Sequence, residues 1–179
     1  MFPRLIRFFR LPFYLVFARV FPVRYAKFIG VNITGKVTIY GGSYSMFGSE
    51  PYLVTLADNV FISVDTQFVT HDGGVLPFRK DIPDLDLAAP ISVGSNTFIG
   101  TKVLIMKGVD IGENCVVGAG SIVTKSVPDG SIVAGIPARV VKSTEEYLEN
   151  GKKNSLKIGH LPEMEKHAMY KKIFNVKQS

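Results

Sequence analysis

His71 is the residue of this sequence best suited to chemistry. It lies in the stretch "FVTHDGG", beside Asp72, and is the single histidine of the first 159 residues. An imidazole exchanges its proton near neutral pH, so His71 is a candidate general base. The alternative is a histidine that anchors a loop. Asp72 either orients the imidazole or shapes the turn, and we favour the turn.

The remaining reactive side chains are weaker candidates. His160 and His167 lie in a charged carboxyl-terminal stretch and are interpreted as surface histidines. Cys115 is the only cysteine, which excludes a disulfide within one chain and fits a reducing compartment. Its place in an apolar repeat predicts a buried thiol that does not react.

A repeat of six residues indicates the elements that position His71. This period differs from the 3.6 residues of a helix and fits short strands joined by turns, which stack into a β-solenoid. In each hexad an aliphatic residue and a small one should point inward, and a following glycine should fit the corner. The aliphatic positions are Val93, Ile99, Ile105, Ile111, Val117 and Val123, with Ile33, Ile39, Leu56, Ile62 and Phe68 upstream. The small positions are Thr97, Val103, Val109, Cys115, Ser121 and Val127.

The repeat is interrupted twice, and both interruptions bear on His71. The loop at residues 72–90 leaves the solenoid directly after His71, which favours a histidine that faces a cleft. The earlier break, at residues 40–55, puts Glu50 about one coil before His71, so we expect the two side chains to lie close together. Glu50 as an ordinary solvated acid is the alternative.

Two long stretches carry a resemblance to a known family. The hexads, "EPYLVTLADNVFISVDTQFVTHDGG" and "GAGSIVTKSVPDGSIVAGIPARVVK" resemble the hexapeptide-repeat acyltransferases, in the branch of galactoside, maltose and capsular-polysaccharide O-acetyltransferases. The resemblance covers roughly residues 30–142. It implies an all-β solenoid in the form of a left-handed parallel β-helix, with an extruded loop and flanking helices.

The resemblance also implies an activity and a set of site residues. It makes the protein an acetyl-CoA-dependent acetyltransferase without a metal, in which His71 is the general base for a sugar hydroxyl. Glu50, Asp72 and Arg79 are then the expected substrate contacts, and the acceptor is expected to be set by the loop at 72–90. The positions that match the cofactor channel are Thr101, Ala119, Thr124, Lys125, Arg139 and Lys142.

The same resemblance implies a homotrimer with active sites between subunits. We expect the protein in the cytoplasm or peripherally on the inner face of the membrane. Three alternatives stay open: an N-acetyltransferase for an amino sugar nucleotide, a serine acetyltransferase, and a trimeric scaffold without activity. The first differs in its acceptor, the second lacks a recognisable helical domain here, and the third would not bind CoA. A zinc-dependent carbonic anhydrase is disfavoured because only His71 lies on the coils.

The chain divides into three predicted parts. Residues 1–29 are basic and apolar, 30–142 form the β-helix, and 143–179 form a tail with two helices around a linker at Gly159 and Pro162. Pro3, Pro12 and Pro22 should break any long helix in the first part. That part is either a cap on the main domain or a segment that lies on an anionic membrane. The net charge of +6 fits a membrane or an anionic cofactor, whereas nucleic-acid-binding motifs are lacking.

Overall fold

The computed structural model describes residues 2–176, with side chains from residue 11 onward. Met1 of the predicted amino-terminal part and residues 177–179 of the predicted tail lie outside the described residues. The chain forms two compact units, one up to Thr144 and one from Glu145 onward. The three predicted parts remain a prediction.

The first unit begins with two helices and continues with thirteen short strands. The helices are α1 (Phe2–Val20) and α2 (Pro22–Phe28). The strands are β1 (Asn32–Ile33), β2 (Val37–Ile39), β3 (Val54–Leu56), β4 (Val60–Ile62), β5 (Gln67–Val69), β6 (Ile91–Val93), β7 (Phe98–Ile99), β8 (Leu104–Met106), β9 (Asp110–Ile111), β10 (Val116–Val117), β11 (Ile122–Val123), β12 (Ser131–Gly135) and β13 (Ala138–Ser143).

The strands form three sheets that the chain visits in turn. The first sheet has the order β1-β3-β6-β9, the second β13-β12-β10-β7-β4-β2 and the third β11-β8-β5. All pairs are parallel except β12 with β13, whose hairpin covers one edge of the second sheet. Phe98 pairs with Val116 and Leu104 with Ile122, so partners stand eighteen residues, or three hexads, apart. The predicted winding of three hexads per turn is confirmed.

The core is made by the positions that the repeat predicts to point inward. All six aliphatic and all six small positions between Val93 and Val127 are buried, as are Ile39, Leu56, Ile62 and Phe68, whereas Ile33 is only half-buried. Hydroxyls in this core are satisfied by backbone carbonyls, as with Thr97 on Gly112. Burial raises the pKa of the Cys115 thiol, which agrees with an unreactive cysteine.

Glycines serve the coil differently from what the sequence suggested. Gly94 and Gly100 do not have the positive φ of tight corners; a side chain there would collide with the backbone of the next coil, at 2.6 Å from Gly112 and from Ala119. These glycines therefore allow close stacking of coils. The corners instead use one left-handed position per hexad, filled mostly by asparagine or glycine. These positions are Asn96, Lys102, Gly108, Asn114 and Gly120.

The amino-terminal helices cap the coil. Ala26 of α2 belongs to the same buried cluster as Val31 and Val37, and the Tyr25 hydroxyl donates to the backbone oxygen of Tyr44. The prediction that Pro12 breaks the helix was wrong, because α1 continues through it. A proline removes one N–H from the helical ladder, but its fixed φ is compatible with a helix. Among the described residues, no helix is both long and apolar enough to cross a bilayer.

The second unit consists of the carboxyl-terminal helices. Helix α3 begins at Thr144, at the end of the first unit, and runs to Asn154, and α4 spans Glu163–Ile173. The segment between them buries Ile158. The predicted pattern of helix, linker and helix is confirmed.

Candidate active site

The two interruptions of the coil meet at the end of strand β5. Glu50 stands just before a 3-10 helix, Pro51–Leu53, that leads the first interruption back into β3. His71 follows β5 and pairs with Ala88 in an antiparallel bridge. The N–H of Ala89 donates to the Thr70 oxygen at 3.0 Å, so both ends of the extruded loop are tied together there. His71 is therefore held where the two ends of the extruded loop are bonded to each other, and the loop extends beyond it.

Glu50, Thr70 and His71 form one hydrogen-bonded group. Oε2 of Glu50 lies 2.8 Å from Nδ1 of His71 and accepts the Thr70 hydroxyl at 2.7 Å. Thr70 is buried, whereas the side chains of Glu50 and His71 are 24% and 41% exposed. The predicted proximity of Glu50 and His71 is confirmed.

This arrangement decides which imidazole nitrogen is available for chemistry. The hydrogen bond from Thr70, followed by the bond and charge of His71, lowers the pKa of the Glu50 carboxyl against the opposing effect of burial. An ionised carboxylate can only accept, so Nδ1 of a neutral His71 carries the proton. Nε2 then presents its lone pair and can accept a proton from another molecule.

A cleft of about 560 Å³ opens beside this group. Asp72 accepts a hydrogen bond from the Gly74 N–H at 2.9 Å and so caps the 3-10 helix Gly73–Phe78, as expected for a turn residue. Arg79 donates to the Leu85 oxygen at 2.8 Å and pairs with Asp86 at 2.9 Å, which fastens the loop to itself. The cleft lining includes Ser49, Glu50, Tyr52, Leu53, His71, Asp72, Gly73, Leu76, Arg79, Asp86 and Ala88.

The predicted cofactor residues lie on the later coils, in three places. Thr101 and Ala119 follow strands of the second sheet and are stacked, since the Gly120 N–H donates to the Thr101 oxygen at 2.8 Å. Thr124 and Lys125 follow β11 of the third sheet and are exposed. Arg139 and Lys142 lie on β13, opposite Ala134 and Ile132.

The register of the third sheet relates Lys125 to the histidine. Val69 pairs with Met106 and Ile105 pairs with Val123. His71, Lys107 and Lys125 therefore follow the carboxyl ends of successive strands of this sheet. His71 and Lys125 are two coils apart. Because coils stack about 4.8 Å apart, the two residues are separated by about 10 Å along the stack. Thr101 and Ala119 precede β8 and β11, so they lie near the amino ends of the strands of the same sheet. Among the described residues, no group of three or more His, Cys, Asp or Glu side chains could hold a metal ion.

Comparison with known proteins places the sequence among acetyltransferases. Residues 90–125 match the family model described as the hexapeptide repeat of succinyl-transferase. The chain is 47% identical to the protein CapG of Staphylococcus aureus over 126 residues, covering 68% of this chain and 73% of CapG. It is 41% identical over 98 residues to the galactoside O-acetyltransferase of Escherichia coli K12, covering 54% of this chain and 47% of that enzyme.

The chain belongs to the hexapeptide-repeat acetyltransferases. A maltose O-acetyltransferase structure from Clostridium difficile 630 aligns with a TM-score of 0.46 and 24% identity, over 67% of this chain and 73% of that one. The match spans only about half of the galactoside enzyme.

Two residues of this acetyltransferase's cleft were missed by sequence reasoning. Thr70 was missed because the hexads stop directly after Phe68, so no pattern specifies the direction of its side chain, and only the fold turns its hydroxyl towards Glu50. Tyr52 lines the cleft with its side chain 67% exposed. The signal that the sequence offered for Tyr52 was an aromatic residue directly after the "EP" of the first interruption.

Proposed function

We propose that this protein transfers an acetyl group from acetyl-CoA to a sugar hydroxyl, with His71 as the general base. The observation that carries the proposal is the pair of Glu50 and His71 at the mouth of the cleft, at 2.8 Å. A carboxylate on Nδ1 leaves Nε2 as the base and stabilises the imidazolium that forms when it takes a proton. The similarity to a galactoside O-acetyltransferase supports the choice of a sugar hydroxyl.

The reaction needs no acyl-enzyme. Nε2 of His71 takes the hydroxyl proton while the hydroxyl oxygen attacks the thioester carbonyl carbon. The C–S bond then breaks, the CoA sulfur receives the proton, and the acetyl ester leaves. Cys115, the only thiol, is buried in the coil and so cannot act as a nucleophile. Binding both substrates in one cleft accelerates the reaction further, because it brings the reacting atoms close together.

Acetyl-CoA is proposed to bind along the third sheet of the coil. Thr101 and Ala119 stand near the amino ends of its strands, and Thr124 and Lys125 near the carboxyl ends. Half-buried apolar side chains on the outer face between these ends would contact the pantetheine arm; they are Leu104, Met106 and Ile122. Lys125, Arg139 and Lys142 would meet the phosphates.

The acceptor is proposed to occupy the cleft at the extruded loop. Tyr52 offers an exposed ring on which the apolar face of a sugar can rest. Glu50 was expected to contact the acceptor, but its bonds to Thr70 and His71 favour a positioning role. Asp72 and Arg79 remain proposed contacts, with Arg79 also shaping the loop.

The assembly is proposed to be a homotrimer of left-handed β-helices in the cytoplasm, where acetyl-CoA is available. The left hand comes from family membership, because physical preference alone favours right-handed crossovers. The active site is proposed to lie between neighbouring subunits, so that the Glu50–His71 pair and the cofactor residues that complete one site come from different protomers. Synthesis of a surface polysaccharide is the proposed setting.

Calorimetric titration with acetyl-CoA tests the cofactor part without knowledge of the acceptor. We expect micromolar binding by the wild-type protein and a loss of at least about tenfold in Lys125→Ala/Arg139→Ala, because two phosphate contacts are removed. Lys153→Ala/Lys172→Ala removes the same charge from the carboxyl-terminal helices and should bind normally. No binding at millimolar acetyl-CoA would favour a scaffold without activity.

A further inference from the structure

The positive charge of this protein is concentrated at its amino-terminal end. Residues 1–49 contain seven Arg or Lys and no acid, and the first acid is Glu50. The remainder of the chain carries 14 Arg or Lys against 15 Asp or Glu. The net charge of +6 therefore arises from one segment, which includes α1 and α2.

The same segment exposes a continuous set of large apolar side chains. Phe13, Val16 and Val20 are spaced by three and four residues, so they share one face of α1, and each is more than half exposed. Ala18, on the other side of α1, is fully buried. One side of α1 thus packs on the protein while the other presents an aromatic and aliphatic surface.

Helix α2 extends this surface and adds charge to it. Phe21 and Phe28 are 50% and 61% exposed. Arg24 lies between them in the helical spacing, with its guanidinium 5.6 Å from the centre of the Phe21 ring. Lys27 is exposed beside Phe28. Basic and apolar groups therefore alternate on one surface, as they do in helices that lie at a membrane interface.

We propose that this surface of α1 and α2 docks on an anionic lipid bilayer. Phe13, Val16, Val20 and Phe28 enter the boundary between headgroups and acyl chains, and Arg24 and Lys27 contact lipid phosphates. A second copy of the chain fits less well, because it would bring two segments of like charge together without an acid between them. The bilayer supplies both the apolar layer and the negative charge.

Docking at this surface also bears on the acceptor. Gly30, two residues after α2, packs next to Tyr52, and a Cβ placed on Gly30 would lie 3.7 Å from that of Tyr52. Tyr52 lines the cleft beside His71. The bilayer surface thus lies near the acceptor cleft, which suits a sugar carried on a lipid; this consequence rests on the proposed function.

Flotation of the full chain with lipid vesicles tests the docking. We expect binding to phosphatidylcholine vesicles containing about a third phosphatidylglycerol, and little binding to pure phosphatidylcholine. Val16→Asp/Val20→Asp should abolish binding, and Arg24→Ala/Lys27→Ala should weaken it about 10- to 30-fold. Met164→Asp, at a position 87% exposed on α4, is the matched control and should bind like the wild type.

Three outcomes would overturn the proposal. They are failure of the wild-type protein to float with anionic vesicles, binding that neither double variant reduces, and a change in oligomer mass in Val16→Asp/Val20→Asp, which would mean that the surface joins copies of the chain. Circular dichroism checks folding, and if the aspartate variant is unfolded, Arg24→Ala/Lys27→Ala decides. Flotation needs neither acetyl-CoA nor acceptor, so its failure leaves the proposed transferase activity standing.

Discussion

At the scale of single residues, one carboxylate oxygen organises the candidate site. Oε2 of Glu50 accepts hydrogen bonds from the Thr70 hydroxyl and from the Nδ1–H of His71. Thr70 is buried and its backbone oxygen accepts from the Ala89 N–H, so its hydroxyl holds the carboxylate in place, and the carboxylate holds the imidazole. The orientation and the tautomer of His71 thus depend on a group that need not touch either substrate.

Replacing Glu50 by glutamine should separate positioning from binding. The amide keeps the size of the side chain but can donate to Nδ1, which favours the wrong tautomer and removes the charge that stabilises an imidazolium. We expect kcat to fall about 100-fold while the KM for acetyl-CoA stays within about twofold. Steady-state kinetics check this, with Glu149→Gln on α3 as the control. An unchanged kcat would contradict a positioning role for Glu50.

The Glu50 carboxylate should also contribute to acid stability. Its pKa in the folded protein is lowered, so its stabilising effect is present above the ordinary pKa of a glutamate and is lost as pH falls through the lowered value. The melting temperature of the wild type should therefore decline more steeply than that of Glu50→Gln between about pH 5 and pH 3. Parallel melting curves for both proteins across this range would be inconsistent with the lowered pKa.

The sequence revealed part of this group but not all of it. The approach of Glu50 to His71 followed from counting coils across the two interruptions, and a turn role was the favoured interpretation of Asp72. Thr70 could not be predicted as a partner, because it follows Phe68 where the hexads stop and no periodic pattern specifies the direction of its side chain. The bonds of Arg79 to Leu85 and Asp86 depend on how the loop folds back, which no periodic pattern specifies.

At the scale of elements, the hexad repeat allows the backbones of neighbouring coils to stack closely. Gly94 and Gly100 permit this because a Cβ at either position would overlap the neighbouring coil. The strands themselves have only two or three residues in most coils, so stability depends on contacts between neighbouring coils.

Gly94→Ala should destabilise the coil strongly. The added methyl group would meet the backbone of Gly112 at 2.6 Å, and backbone cannot yield as a flexible side chain can. We expect a loss of about 2–4 kcal/mol in the free energy of unfolding, measured by denaturant titration. Gly151→Ala, in helix α3, would meet no atom within 4 Å apart from its own helix and chain neighbours, and should be neutral or slightly stabilising. Equal effects of both substitutions would refute the close-stacking interpretation.

The periodic elements were predictable and the exceptions were not. The inward positions followed from period six because burial selects aliphatic and small residues there. The left-handed conformation of the corner at Lys102 could not be predicted, because lysine is not typical of positions with positive φ. The continuation of α1 through Pro12 also differs from the usual effect of proline, whose fixed φ is nevertheless compatible with a helix.

At the scale of the whole molecule, the proposed active site includes residues of more than one chain. The histidine group and several of the proposed cofactor residues stand on different coils and at different ends of the strands, which a site between subunits would unite. Sedimentation should give a mass of about 59 kDa, three times the 19.7 kDa of one chain. A protein that is monomeric at micromolar concentration would contradict the proposed trimer.

Acetyl transfer catalysed by His71 is the central claim, and release of CoA thiol measures it most directly. Wild-type protein, acetyl-CoA and a panel of glycosides and amino sugars would be followed with a thiol reagent, to which the buried Cys115 adds little background. We predict release that depends on a sugar hydroxyl, is about 10²- to 10⁴-fold slower in His71→Ala and is unchanged in His160→Ala. Release in His71→Ala at the wild-type rate, or release with amino sugars alone, would contradict the account.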